Sequence, residues 1–257
     1  MAPTPRALEG WIALAAVLTA AGCMGFAPLA IPAPDWVKNA LTLGRNDQLH
    51  NIPATARFST DDGGWFILDR SQKPAVLRFD EDPDEVWVVS PSRGPRGDIL
   101  FKDDVGDVLL RVTKLGGVTV FTIRRPIGAA ATLDGKAQPI HVLPMGLSGL
   151  YQRMVLATVH CTHTAHHLVA FEAPDADARS AAALAEAAIL AMDAVAAAAG
   201  RPQGRAAEVH LVRVLLIHGA KPGASLQHGV LTIQVSPGQG FSGHPSSARI
   251  AQVIAGP

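Results

Sequence analysis

The chain of 257 residues contains two cysteines, Cys23 and Cys161, too few for a disulfide scaffold. Charged residues make up 17% of the sequence, against 48% apolar, which excludes the polar, highly charged composition of a disordered chain. Neither sign of charge prevails, with 22 basic and 22 acidic residues. A nucleic-acid partner, which needs a concentrated basic surface, is therefore not expected. Gly-x-Ser-x-Gly is absent throughout, so the strained nucleophile elbow of a serine hydrolase has no candidate.

Charge is missing altogether between Trp11 and Ile31, close to the roughly 20 residues that span a bilayer. Gly22, Gly25 and Pro28 interrupt that run. Arg6 precedes it as a positive n-region, Trp11 to Ala21 forms an apolar core, and Ala20, Ala21 and Gly22 supply small residues for processing. Residues 1–22 thus read as a secretion leader, placing the protein in the periplasm or at the outer membrane. Leu18-Thr19-Ala20-Ala21-Gly22-Cys23 resembles a bacterial lipobox with Ala20 where Leu is usual. Lipidation at Cys23, ordinary cleavage and an uncleaved anchor all remain open, and each gives a membrane contact through the N-terminus. A lipidated Cys23 would leave Cys161 as a lone thiol, whereas an unlipidated one could pair with it.

The leader leaves about 235 residues, one large or two small domains. Residues 23–55, with Pro28, Pro32, Pro34 and Pro53, read as a tether holding a short helix at 36–43. From Ala56 short β-branched runs alternate with turn residues, the pattern of antiparallel strands. Candidates are 64–69, 75–80, 85–90, 98–102, 108–113 and 118–124, separated by turns such as Asp61-Asp62-Gly63-Gly64 and Gly116-Gly117. Spacing of about ten residues predicts a meander closed as a sandwich or small barrel, with 129–133 and 140–143 extending the sheet to complete a β-rich part over 56–143. Residues 144–257 read as an α+β part. It holds a helical stretch at 147–159, a strand at 168–172, and a long Ala-rich helix from the acidic start Pro174 to Asp177 through Ala199. Strands at 209–217 and 230–235, joined across Gly219 to Gly229, and a closing helix at 246–254 complete it. The fold class is α+β.

Several of these runs, Phe58 to Gly64, Leu68 to Ser71, Leu77 to Asp80, Pro95 to Leu100, Leu115 to Thr122 and Pro245 to Ile250, resemble a domain-of-unknown-function family of exported alphaproteobacterial proteins. The likeness covers 58–124 well and the C-terminal end in patches. It implies export and the two-part layout, and carries over no catalytic residue.

The densest chemistry is His160-Cys161-Thr162-His163-Thr164-Ala165-His166-His167, with four of the ten histidines. Imidazole and thiolate are zinc or copper ligands. On a helix His160, His163 and His167 share a face; on a strand Cys161, His163 and His167 do. Thr164 follows His163 where a zinc-protease helix carries Glu. The plainer alternative is a His-rich helical turn with Cys161 as a small buried residue. Asp103, Asp104 and Asp107 lack the spacing and terminal Glu of a calcium loop and read as a hairpin turn. Asp61-Asp62 and the acidic run from Asp80 to Glu85 read as solvated turns, with a shared ion site as the alternative. Gly238 to Gly243 before His244 and Ser246-Ser247 offers either an anion cradle at a helix start or a plain N-cap. Trp65 and Trp87 read as core residues. The expected function is a non-enzymatic envelope binding or structural module. The alternatives are a metal-binding protein or metal-dependent hydrolase using the histidine cluster and, third, a glycan hydrolase with no identifiable carboxylate pair.

Overall fold

The computed structural model describes Leu49, residues 51–200 and residues 210–256. The expected leader, Cys23, the tether up to residue 48, its helix at 36–43 and the Val209 start of a strand lie outside them. Eight strands follow one another: β1 (Thr55–Thr60), β2 (Trp65–Asp69), β3 (Ala75–Phe79), β4 (Trp87–Arg93), β5 (Ile99–Lys102), β6 (Val108–Val112), β7 (Val118–Thr122) and β8 (Arg125–Lys136). Each pairs antiparallel with the next, and β1 pairs with β8 to close a barrel. Period-2 alternation points one residue in two inward. Phe58 on β1, Phe66 and Leu68 on β2, Leu77 and Phe79 on β3 and Leu110 on β6 belong to one buried cluster. Phe58 and Phe66 stack with ring centroids 5.0 Å apart, and Phe79 lies tilted 6.0 Å from Phe66. Burying one such side chain is worth about 1.5–3 kcal/mol.

Where strands 2 to 4 turn side chains outward, the second face is covered as well. Ile67 and Val76 pack with Ile140 and Phe241, flanked by Val86 and Val88. The run 140–143, expected as a strand, carries no sheet pairing. Closure of β1 on β8 removes the edge it would have joined, and the Ile140 amide instead donates to Asp69 Oδ2 at 2.9 Å.

Beyond the barrel come helix α1 (Leu147–Ala165), β9 (Ala170–Glu172), helix α2 (Ala181–Ala199), β10 (Arg213–His218), β11 (Gly223–Gln227), β12 (Val230–Val235) and helix α3 (Ser247–Ala255). The sheet order is β11-β12-β10-β9, with β10 parallel to both neighbours and β11 antiparallel to β12. The connection Gly219–Gly229 therefore contains a strand that its sequence does not announce. Its turn at His228-Gly229 takes positive φ at both residues, 49° and 78°, and the Gly229 carbonyl accepts from the Val212 and Arg213 amides. A Cβ at Gly229 would lie 2.2 Å from the His210 carbonyl oxygen. Helix α2 is long and apolar enough to cross a membrane, but twelve of its residues are buried within the protein. Small alanines let it approach α1, α3 and the sheet closely. Both halves lie within one compact unit, Asn46–Pro257.

Candidate functional site

The loop from β3 to β4 meets the start of α3 along a seam between barrel and helices. Ser247 donates its amide to Glu85 Oε1 at 3.0 Å, and its hydroxyl lies 2.7 Å from Oε2. One step along the same helix start, Ser246 Oγ donates to Asp104 Oδ1 at 2.5 Å, and Arg249 Nε to Asp104 Oδ2 at 3.0 Å. Ser246 is the N-cap and accepts from the Arg249 amide at 3.1 Å. The N-terminus of α3, considered from sequence as an anion cradle, thus receives the protein's own carboxyl groups, where the helix dipole and unpaired N–H groups favour them. Asp103 Oδ1 accepts three successive amides, Val105 to Asp107, which makes its segment a turn.

The acidic run 80–85 is only partly solvated, contrary to the sequence expectation. Glu85 is buried. Burial, with the nearby Asp82 and Asp193 charges, pushes its carboxyl up to about 8 against the lowering effect of the Ser247 bonds. Burial likewise raises Asp82, and it raises Asp193 on α2 to about 6, helped by the charges of Asp82 and Asp84. Around this group Arg153 pairs with Asp84 at 3.4 Å and His244 with Glu186 at 3.2 Å. Perturbed carboxyls in one place are what catalytic sites show, though structural contacts produce them too. The adjoining crevice, bounded by Asp84, Val86, Glu186, Leu190, Phe241 and His244, measures about 10 Å³. That holds about one water. The seam is geometry for joining two halves. The Asp80 to Glu85 run, Asp104, His244 and Ser246-Ser247 stand out in the sequence one by one, but their convergence and Asp193 do not, because Glu85 and Asp193 lie 108 positions apart in the chain.

A larger cavity, about 350 Å³, opens at one end of the barrel. Its lining is mixed: Asn51, Lys114 and the Leu115-Gly116 turn stand beside Ala131 and Leu133, over Ile52, Phe58 and Val118, which are themselves buried. Leu115 is 99% exposed, held out by a turn in which Gly117 donates its amide to Thr113 Oγ1 at 2.9 Å.

The histidine cluster lies at the C-terminus of α1. His160 and His163 are exposed on the helix and Cys161 is buried on its opposite side. The helix ends at Ala165, with His166 in the left-handed conformation as C-cap, so His167 leaves the helical face that the spacing suggested. Its Nδ1 lies 2.8 Å from the Ala165 carbonyl oxygen and its Nε2 2.7 Å from that of Leu211, engaging both ring nitrogens with backbone. Among the described residues no three His, Cys, Asp or Glu side chains stand together as a metal site. Asp62, read as a solvated turn residue, is gripped by Arg125 through Nε at 2.6 Å and Nη2 at 3.1 Å, which holds its carboxyl well below the usual range. Trp65 and Trp87 are half-buried, the former under Arg57 at 4.5 Å.

The model of one protein family, a domain of unknown function, matches residues 37–254. No curated protein and no solved structure matches the chain.

Proposed function

The chain belongs to the DUF4908 family, and we propose that it works as an exported, non-catalytic binding module of the cell envelope whose barrel mouth takes the apolar end of an amphiphile. The observation that carries this reading is the cavity of about 350 Å³ at the barrel end. Small-molecule sites begin near that size and favour the mouths of β-barrels. Leu133, Ala131 and the exposed Leu115 offer apolar contact to a hydrocarbon segment above the buried Ile52, Phe58 and Val118, and Lys114 at the edge suits an anionic head group. Export rests on Arg6, the Trp11 to Ala21 run and the Gly22-Cys23 junction, which would tether the module to a membrane.

Titration with an anionic fluorescent acyl probe tests it. Saturable micromolar binding is expected, weakened about tenfold by Leu115→Asp and several-fold by Lys114→Glu. Both side chains are exposed, so the fold should be unaffected. The absence of saturable binding, or equal binding by all three proteins, would overturn the reading.

A further inference from the structure

Helix α1 is apolar on two sides. Leu150, Met154, Ala157 and Cys161 face the core. On the other side Tyr151, Val155, Leu156 and Val159 are 56%, 63%, 52% and 63% exposed, and Leu147 continues their row. Single exposed hydrophobics are ordinary, but a continuous face at i, i+4 spacing marks a contact surface. Its rim is polar, with Gln152, His160 and His163. No Asp or Glu occurs from residue 135 to residue 171.

We infer that this face is the self-association surface of the protein, pairing α1 with α1 of a second copy across a twofold axis near Val155. This goes beyond binding at the barrel mouth and stands without it. A helix lying on anionic lipid needs Lys or Arg along its polar side. In α1 the sole such residue is Arg153, engaged with Asp84 of the barrel loop. An uncharged apolar centre with an aromatic residue and a polar rim is instead the anatomy of a protein interface. A twofold contact sets a patch against itself, and here it opposes no like fixed charges. The row at 147, 151, 155 and 159 provides one ridge to pack against its symmetry mate. A 19-residue helix is about 28 Å long. Two such faces with their rims bury on the order of 1,000 Å², the lower edge for a stable dimer.

Sedimentation of the full chain in mild detergent, with mass corrected for bound detergent, should give a dimer at tens of micromolar. Val155→Glu should give a monomer that keeps the parent's far-ultraviolet circular dichroism, because Val155 is on the exposed side, and whose unfolding midpoint equals the parent's once the parent is diluted to monomer. Mixing Val155→Glu with Val155→Lys should restore the dimer, since the two charges meet at the axis. A monomeric parent chain overturns the inference, as does a Val155→Glu dimer. A monomer that co-sediments with anionic vesicles through this face overturns it in favour of a lipid surface.

Discussion

Replacing Glu85 by Gln tests the seam directly. In the folded protein the Glu85 carboxyl lies near 8 rather than 4.5, chiefly because it is buried. A carboxyl raised on folding favours the protonated folded state, so its contribution is fully present below 4.5 and is lost as pH rises through about 8. At about 1.4 kcal/mol per pH unit the ceiling is roughly 5 kcal/mol. Water entering the seam and relaxation of the loop would lower it. Glutamine retains an oxygen for the Ser247 amide and carries no titrating proton. Urea unfolding measured from pH 4.5 to 8.5 should show the parent protein losing several kcal/mol relative to Glu85→Gln as pH rises. Comparing the two proteins cancels the titration of distant groups. Parallel stability curves across that window would refute the assignment of a buried, proton-holding Glu85.

Asp69 provides the opposite sign. Burial would raise it, but the bonds from Ser71, the Ile140 amide and Thr55 outweigh burial and hold it below its ordinary value. Its contribution is therefore present above the ordinary carboxylate range and lost as pH falls through its folded value; Asp69→Ala should cost about 3 kcal/mol at neutral pH in denaturant unfolding, because several buried donors lose their acceptor. Phe66→Ala should cost about 3–5 kcal/mol in the same assay, since its ring is enclosed by Phe58 and Phe79. Gly229→Ala should lower the thermal midpoint through a cost of at least about 1 kcal/mol, from positive φ and collision with the His210 carbonyl.

The barrel was largely legible because its inward residues alternate and its turns carry Asp and Gly, both local signals. Strand β1, Thr55–Thr60, is not announced as a strand by its sequence, although Ala56 marks the change of character. Its closing partner β8 was read only in part. Pairing Phe58 with Leu133 across 75 positions leaves no trace in a local window. Strand β11, Gly223–Gln227, is rich in small and polar residues, and its pairing with β12 compensates for weak propensity. The histidine cluster was conspicuous by composition, yet the end of α1 at Ala165 separates His167 from the helical face.

Composition and local pattern alone determined that the chain has few cysteines, no excess charge, an apolar N-terminal run and an α+β make-up. Those properties are sums over residues or near neighbours along the chain. Tertiary structure decided which acids are buried, which carboxyls cap α3, where a cavity opens and which side of α1 remains uncovered. Each depends on segments brought together from distant positions, and burial by those segments, not residue type, turns an acidic loop into a proton-holding seam.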